Sequence, residues 1–301
     1  MPDDACAASP VDPPDADSVP GGLVMVSTPI GNLGDVSARA RDTLARCDLV
    51  LCEDTRHSAV LLGAIGVRAR TEALHEHNED ARIPAMLALL RAGKRVGLVS
   101  DAGTPLLSDP GFRLVRAAIA AGLPVTAVPG PNAALTALVL SGLPPVPFLF
   151  LAFPPPRAAA RRAAFGRLRT QEHAGLAATL IWHEAPHRLG EMLADLTAAF
   201  GNRPAAVARE LTKRFEEVRR GPLPELAAWA SREPMRGEIT VLVGPPAAEE
   251  TDMAGLDAQL RTALAAGSVK DAAALVTSAT GLPRKVVYAR ALKLAGERGQ
   301  T

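Results

Sequence analysis

Short apolar runs alternate with amphipathic stretches along most of the chain, beginning at Leu23. The runs at 23–27, 48–52, 95–99 and 124–128 are apolar at nearly every position. Strands of that kind are buried on both faces, which predicts a parallel sheet covered by helices. Between them, 36–47, 79–92 and 110–121 have helical period; in 79–92, Ile83, Met86, Leu87 and Leu90 form one stripe. The prolines within 144–147 predict an extended linker and a domain boundary. A second α/β unit follows, with strands expected at 148–152, 177–183, 205–209 and 239–243 and helices at 156–169 and 186–200. Pro245-Pro-Ala-Ala-Glu-Glu reads as another linker and the remainder as helical. The expected fold class is α/β: a tail at 1–22, α/β domains at 23–143 and 148–245, and a small helical domain at 252–298.

Composition narrows this picture. With 48% hydrophobic and 22% charged residues, the 301-residue chain is globular, neither wholly disordered nor collagen-like. Lys and Arg total 33 against 32 Asp and Glu, so no global field steers it toward nucleic acid or membrane. Locally the balance breaks. Residues 1–22 hold five aspartates, several prolines and no basic residue, which predicts a disordered acidic tail and not a secretion signal. Residues 268–298 carry six Lys or Arg against two acids. The uncharged stretch 117–156 is long enough to cross a bilayer, but Gly and Pro interrupt it repeatedly, so no membrane span is expected. Cys6, Cys47 and Cys52 form neither a disulfide framework nor a metal set, which points to a reducing, cytoplasmic setting.

Ligands of open α/β sheets bind beyond the carboxyl ends of the strands, so the loops after strands carry the chemistry. Ser27-Thr-Pro-Ile-Gly-Asn-Leu can turn sharply, because Pro29 fixes φ and Gly31-Asn32 tolerates left-handed backbone. Glu53-Asp-Thr-Arg-His places two carboxylates and a guanidinium at the same edge, more than a helix cap needs. His75-Glu-His-Asn-Glu has zinc-like residues, but no further cluster completes a tetrahedral set, so no metal is expected. In Ser100-Asp-Ala-Gly-Thr-Pro-Leu-Leu-Ser-Asp-Pro-Gly, Asp109 is expected to cap the next helix with Pro110 at its first position. Capping leaves Asp101 unexplained. Val128-Pro-Gly-Pro-Asn-Ala repeats the arrangement of strand, rigid turn and small-residue helix.

These loops, with His77-Asn-Glu and Ala208-Arg-Glu-Leu-Thr-Lys in the same order, carry a resemblance. The chain resembles the bacterial 16S ribosomal RNA (cytidine-2′-O)-methyltransferases, within the tetrapyrrole-methylase superfamily, over 23–243. The resemblance implies a homodimer that uses S-adenosylmethionine, held in a cleft between two α/β domains, to methylate 16S rRNA or the small ribosomal subunit. Together with the strand-terminal turns it implies a cofactor site of Pro29, Ile30, Asp101, Ala102, Gly103, Thr104, Asn132 and Ala133, completed by Leu211. Two departures occur. His183-Glu-Ala-Pro-His-Arg stands where Tyr-Glu-Ser-Pro-His-Arg is usual, and Ala152-Phe-Pro-Pro replaces Gly-Phe-Leu-Pro.

Methyl transfer from a sulfonium needs alignment, and a ribose hydroxyl gains from a nearby proton acceptor. Glu53, Asp54, His77 and Glu79 are candidates, with Glu53 or Glu79 favoured as base and Arg56 as phosphate or site organiser. For RNA, the acid-free run Arg157, Arg161, Arg162, Arg167 and Arg169 is expected to contact phosphates, with Arg157, Arg161 and Arg162 on one face. Arg284 and Lys285 in the helical tail offer a second contact. Two other classes stay open: a superfamily methylase of a tetrapyrrole or another small substrate, and a non-catalytic RNA- or ligand-binding protein.

Overall fold

A computed structural model describes residues 21–232, 235–246, 253–280 and 284–298. Most of the predicted acidic tail, residues 1–20, lies outside the described residues. The apolar runs form β1 (Leu23–Val26), β2 (Leu49–Cys52), β4 (Val96–Val99) and β5 (Val125–Val128). A short β3 (Thr71–Ala73) joins them in an all-parallel sheet of order β3-β2-β4-β1-β5. Thr71-Glu-Ala has no apolar run to announce it; pairing with β2 makes it a strand. The helices of this half are α1 (Ala38–Ala45), α2 (Thr55–Ala64), α3 (Glu79–Arg91), α4 (Phe112–Ala120) and α5 (Ala133–Ser141). Side chains on the two sheet faces pack into separate clusters, one around Val26, Val50 and Leu44, the other around Leu51, Leu98 and Leu114. Each such buried side chain contributes about 1.5–3 kcal/mol.

The second half holds β6 (Phe148–Phe150), β7 (Thr179–Glu184), β8 (Pro204–Arg209), β9 (Glu217–Pro222) and β10 (Ile239–Val243), in the order β6-β7-β10-β8-β9. Only β6 and β7 are parallel. β9, Glu-Val-Arg-Arg-Gly-Pro, is too polar to be read as a strand from sequence, and it is tolerated because it lies at the sheet edge. Helices α6 (Ala158–His173), α7 (Leu189–Phe200) and α8 (Leu223–Ala230) cover one face around Phe165, Trp182, Met192 and Val241. The other face meets α5, whose Ala134, Ala137 and Leu138 pack with Ile181, Ala206 and Leu242. Both sheets therefore belong to one compact unit that ends at Pro245.

A separate unit contains α9 (Met253–Ala266), α10 (Val269–Thr280) and α11 (Arg284–Arg298), closed around Leu260, Ala273 and Val287. Arg290 grips Asp257 through two contacts of 2.6 and 2.5 Å. Among the described residues no helix is long and apolar enough to cross a membrane.

Two local expectations are corrected. α4 begins at Phe112, not at Pro110, and its N-cap is Gly111 at φ +117, a conformation that suits glycine. Asp109 is thereby released from capping. Its place is taken from another helix: the buried Glu79 accepts the Leu114 N–H in the first turn of α4 at 2.9 Å and the Arg113 Nε–H at 3.3 Å. The second correction concerns Arg161, expected on an RNA-facing surface. It is 1% exposed and donates to Asp195 at 2.8 Å and Glu191 at 3.3 Å, tying α6 to α7. Arg157 is the N-cap of α6, outside the helical turns, so no arginine face of the predicted kind exists.

Arg161→Ala removes the cation from a carboxylate that is itself mostly buried. Arg162, 3.6 Å from Asp195, compensates in part. The expected cost is about 2–3 kcal/mol, read by urea denaturation at neutral pH. RNA affinity of the folded fraction should not change.

Candidate functional site

The loops that leave β1 and β4 are clamped together, because the two strands are neighbours in the sheet. Thr28 and Gly103 exchange backbone hydrogen bonds at 2.9 and 3.2 Å. The Thr28 hydroxyl donates to the Ser100 carbonyl at 3.2 Å, and the Ser100 hydroxyl to the Gly103 carbonyl at 3.1 Å. Gly103 sits at φ +81, and a Cβ there would come within 3.2 Å of Ile30. The loop after β5 is tied in by Thr104, which donates to the Pro131 carbonyl at 3.2 Å and accepts from Asn132 Nδ2 at 3.3 Å. Asn132 Oδ1 caps α5 by accepting the Leu135 N–H at 3.0 Å.

These loops form one wall of a cavity of about 420 Å³, and the second sheet forms the other. Of the nine predicted cofactor residues, Ile30, Asp101, Ala102, Gly103, Thr104, Asn132, Ala133 and Leu211 line it, and Pro29 does not. Opposite stand Phe150, Phe153, His183, Glu184 and Ala208. All five non-glycine residues with left-handed backbone among the described residues are in the cleft's loops: Leu106, Ser108, Ala152, Glu210 and Thr212. Such conformations cost of order 1 kcal/mol each and cluster at sites where backbone must be held rigidly toward a ligand.

The cleft is rich in carboxylates. Glu184 is fully buried; its Oε1 accepts from the Ala185 N–H and the Arg188 Nε–H, both at 2.7 Å. Its Oε2 has no partner, and neither has the buried Oδ1 of Asp101. Two buried acceptors on facing walls are open to donors from a bound ligand or from ordered water, since each left unmet would cost about 1–3 kcal/mol. Asp109 also lines the cleft, and burial, reinforced by Glu53 and Asp101, pushes its carboxyl up to about 6. Burial lowers His183, keeping it neutral, although Glu238 opposes the shift. Its ring meets Phe150 edge-on at 5.0 Å, and its Nδ1 lies 3.1 Å from the Thr240 hydroxyl.

The predicted catalytic residues fare differently. Glu53 is exposed at the carboxyl end of β2, near enough for its charge to act on Asp109. Asp54 caps α2 and holds Arg56 through contacts of 2.8, 2.9 and 3.2 Å; the Arg56 side chain is 90% exposed. Glu79 is buried, and both its oxygens are engaged in bracing α3 against α4, a structural role. His77 borders a separate shallow recess beside Asp109. Sequence reasoning missed Asp109, Glu184, Phe150 and Phe153. A capping role hid Asp109, and nothing in a linear sequence marks the unpartnered oxygen of Glu184.

A parallel sheet, a mixed sheet and a cleft between them walled by strand-terminal loops define a methylase of the tetrapyrrole-methylase class. Residues 22–227 match the Tetrapyrrole (Corrin/Porphyrin) Methylases family, and residues 249–295 match the RsmI C-terminal HTH domain. The fold is that of the methyltransferase CobJ (TM-score 0.55, 20% identity, covering 75% of this chain and 94% of that one). Diphthine synthase has it too (TM-score 0.55, 15% identity, 74% and 89%). Full-length relatives are more similar. Ribosomal RNA small subunit methyltransferase I of Mesorhizobium japonicum is 45% identical over 92% of this chain and 94% of its own. Its counterparts in Micromonospora olivasterospora and Escherichia coli O157:H7 are 47% and 41% identical, over 92% and 93% of this chain and 88% and 98% of theirs. The chain belongs to the ribosomal RNA small subunit methyltransferase I family.

The raised Asp109 carboxyl has a consequence for stability. Its folded-state value of about 6 lies above that of an ordinary carboxylate, so the native state binds the proton more tightly than the unfolded chain. Asp109 therefore costs stability increasingly as pH rises from roughly 4 to 6, and the cost persists above that window. Asp109→Asn should be more stable than wild type at neutral pH by about 1 kcal/mol, after allowance for solvent screening, and no more stable at about pH 4. Thermal melts across this range provide the measurement.

Proposed function

We propose that this chain transfers a methyl group from S-adenosylmethionine to the 2′-hydroxyl of a cytidine in 16S ribosomal RNA of the small subunit. The observation that carries the reading is the cleft itself, in which the acceptors of Asp101 and Glu184 lack donors. An adenosine with an ammonium group supplies hydroxyl, amine and ammonium donors of that kind. The volume lies within the range of small-ligand sites, about 300–1,000 Å³. Ile30, Ala133 and Leu211 offer the apolar surface, and Gly103 leaves room for close approach of the backbone. When bound, S-adenosylmethionine supplies a methyl group on a sulfonium, already activated for in-line displacement.

The protein then has to orient the acceptor hydroxyl and take its proton. Asp109 is suited to this. At about 6 it is a stronger base than an ordinary carboxylate, yet it is ionised at neutral pH. Glu53 sustains that basicity through its charge, which replaces the direct role expected for it. The exposed Arg157 and Arg162 on the main unit and the exposed Arg284 and Lys285 on the helical unit are assigned to rRNA phosphates. The enzyme works as a cytoplasmic homodimer in this reading.

Small ribosomal subunits from cells lacking the enzyme, incubated with labelled S-adenosylmethionine, should acquire label at one cytidine ribose of 16S rRNA. Label on a tetrapyrrole and none on the subunits would favour the small-molecule reading and sink this one. Gly103→Val should abolish S-adenosylmethionine binding by calorimetry with the circular dichroism spectrum unchanged. Asp109→Asn should lower kcat by about 10²-fold while retaining cofactor affinity. Glu79→Gln should leave kcat of the folded enzyme unchanged, since its carboxylate is structural.

A further inference from the structure

On the second sheet, Ala206 and Ala208 of β8 face α5, while Ala205 and Val207 face α7 and α8. Side chains alternate along a strand, so Arg209 falls on the α8 side, opposite the cleft but at the same rim. There Arg209, Arg219, Arg232 and Arg236 line a recess of about 440 Å³ with Trp229 and Glu217. Glu217 neutralises Arg209 through contacts of 2.8 and 3.2 Å. Arg219, Arg232 and Arg236 are exposed and make no ion pair among the described residues. The neighbouring Glu233 and Pro234 lie outside those residues.

Guanidinium groups gathered in one recess repel each other, by about 1 kcal/mol for a pair in contact in water. An anion relieves that repulsion. The Arg219 guanidinium lies 4.7 Å over the Trp229 ring centroid, and the ring, itself packed against the core, backs it at the recess. Its position relative to the cleft is fixed by the backbone. Ala208 lines the cleft and Arg209 the recess; Gly237 lines the cleft and Arg236 the recess. The cleft and the recess therefore meet at one rim of the sheet, on its opposite faces, and a strand crossing that rim passes from one to the other.

We infer that this recess holds the phosphodiester backbone of the RNA strand flanking the nucleotide in the cleft, with Arg219, backed by Trp229, and Arg232 and Arg236 as its phosphate contacts. The inference rests on the RNA reading above and adds a phosphate contact at the rim of the second sheet.

The test uses the full-length chain, a fluorescein-labelled single-stranded RNA bearing the 16S target sequence, and fluorescence anisotropy across a salt series. Arg219→Ala with Arg232→Ala should weaken binding at least tenfold and reduce the log–log salt slope by about 1–2, as expected for one or two lost phosphate contacts. S-adenosylmethionine affinity by calorimetry should stay the same. Should that double variant melt early, Arg236→Ala alone should lower the slope by about 1. Unchanged affinity and slope in a folded variant overturn the inference while leaving the methyltransferase reading intact. Loss of binding to assembled subunits alone, with naked RNA unaffected, also overturns it, since the recess would then meet protein. Competition by inorganic phosphate beyond that of chloride at equal ionic strength would place a lone anion there and overturn the strand path. A wild-type chain that neither binds this RNA nor methylates subunits brings down the RNA reading together with the recess.

Discussion

The paired backbone hydrogen bonds between Thr28 and Gly103 hold together the two loops from which the cleft is built. They form because β1 and β4 end side by side in the sheet although 69 residues separate Val26 from Val96 in sequence, with whole strand–helix units inserted between. A pair of strands that emerge adjacent but are connected elsewhere leaves a crevice at their carboxyl ends. The Thr28 and Ser100 hydroxyls close that crevice into a rigid floor, and Asn132 extends it to the start of α5. α5 in turn packs on the second sheet, so the floor and the facing wall are held by one apolar contact layer. The left-handed residues on both sides of the cavity are sustained by this over-determination.

Rigid walls make unpartnered acceptors meaningful. In a mobile loop the carboxylates of Asp101 and Glu184 would turn toward water; here burial leaves one oxygen of each without a donor. Arg188 and the Ala185 amide fix Glu184 so that only its second oxygen is left over. The same crowding explains Asp109. Burial comes first, and the neighbouring charges of Glu53 and Asp101 add to it, which raises its basicity without an external partner. The unpartnered acceptors and the raised Asp109 carboxyl thus arise from one cause, the concentration of acids in a partly buried cleft.

The arginines show how far burial governs the meaning of a residue type. Arg161 and Arg203 are structural: the first ties α6 to α7, and the second holds Glu172 at 2.6 and 3.1 Å and lies 5.2 Å from the Phe200 ring centroid. Arg113 and Arg188 position carboxylates. Arg219, Arg232 and Arg236 are exposed and have no acidic partner among the described residues. Counting positive charges along 157–169 could not separate these roles, because only the packing of α6 on α7 decides which side chain is turned inward.

The parallel sheet, most of the helices and the loop cluster at the strand ends were legible in the sequence. Continuous apolar runs admit few alternatives to buried strands, and Gly and Pro at their ends dictate turns. Eight cleft residues followed from those turns and from the resemblance. β3 and β9 were not legible, since each is a strand only through pairing with β2 or β8. Glu79 completes the α4 cap that Asp109 was expected to provide, for a reason only tertiary structure contains. Gly111 starts α4 beyond Asp109, and the carboxylate that completes the cap comes from α3, 35 residues before the Leu114 N–H that it accepts. Local sequence determines which groups are able to cap, bind or titrate; the distances between segments far apart in the chain determine which of them do.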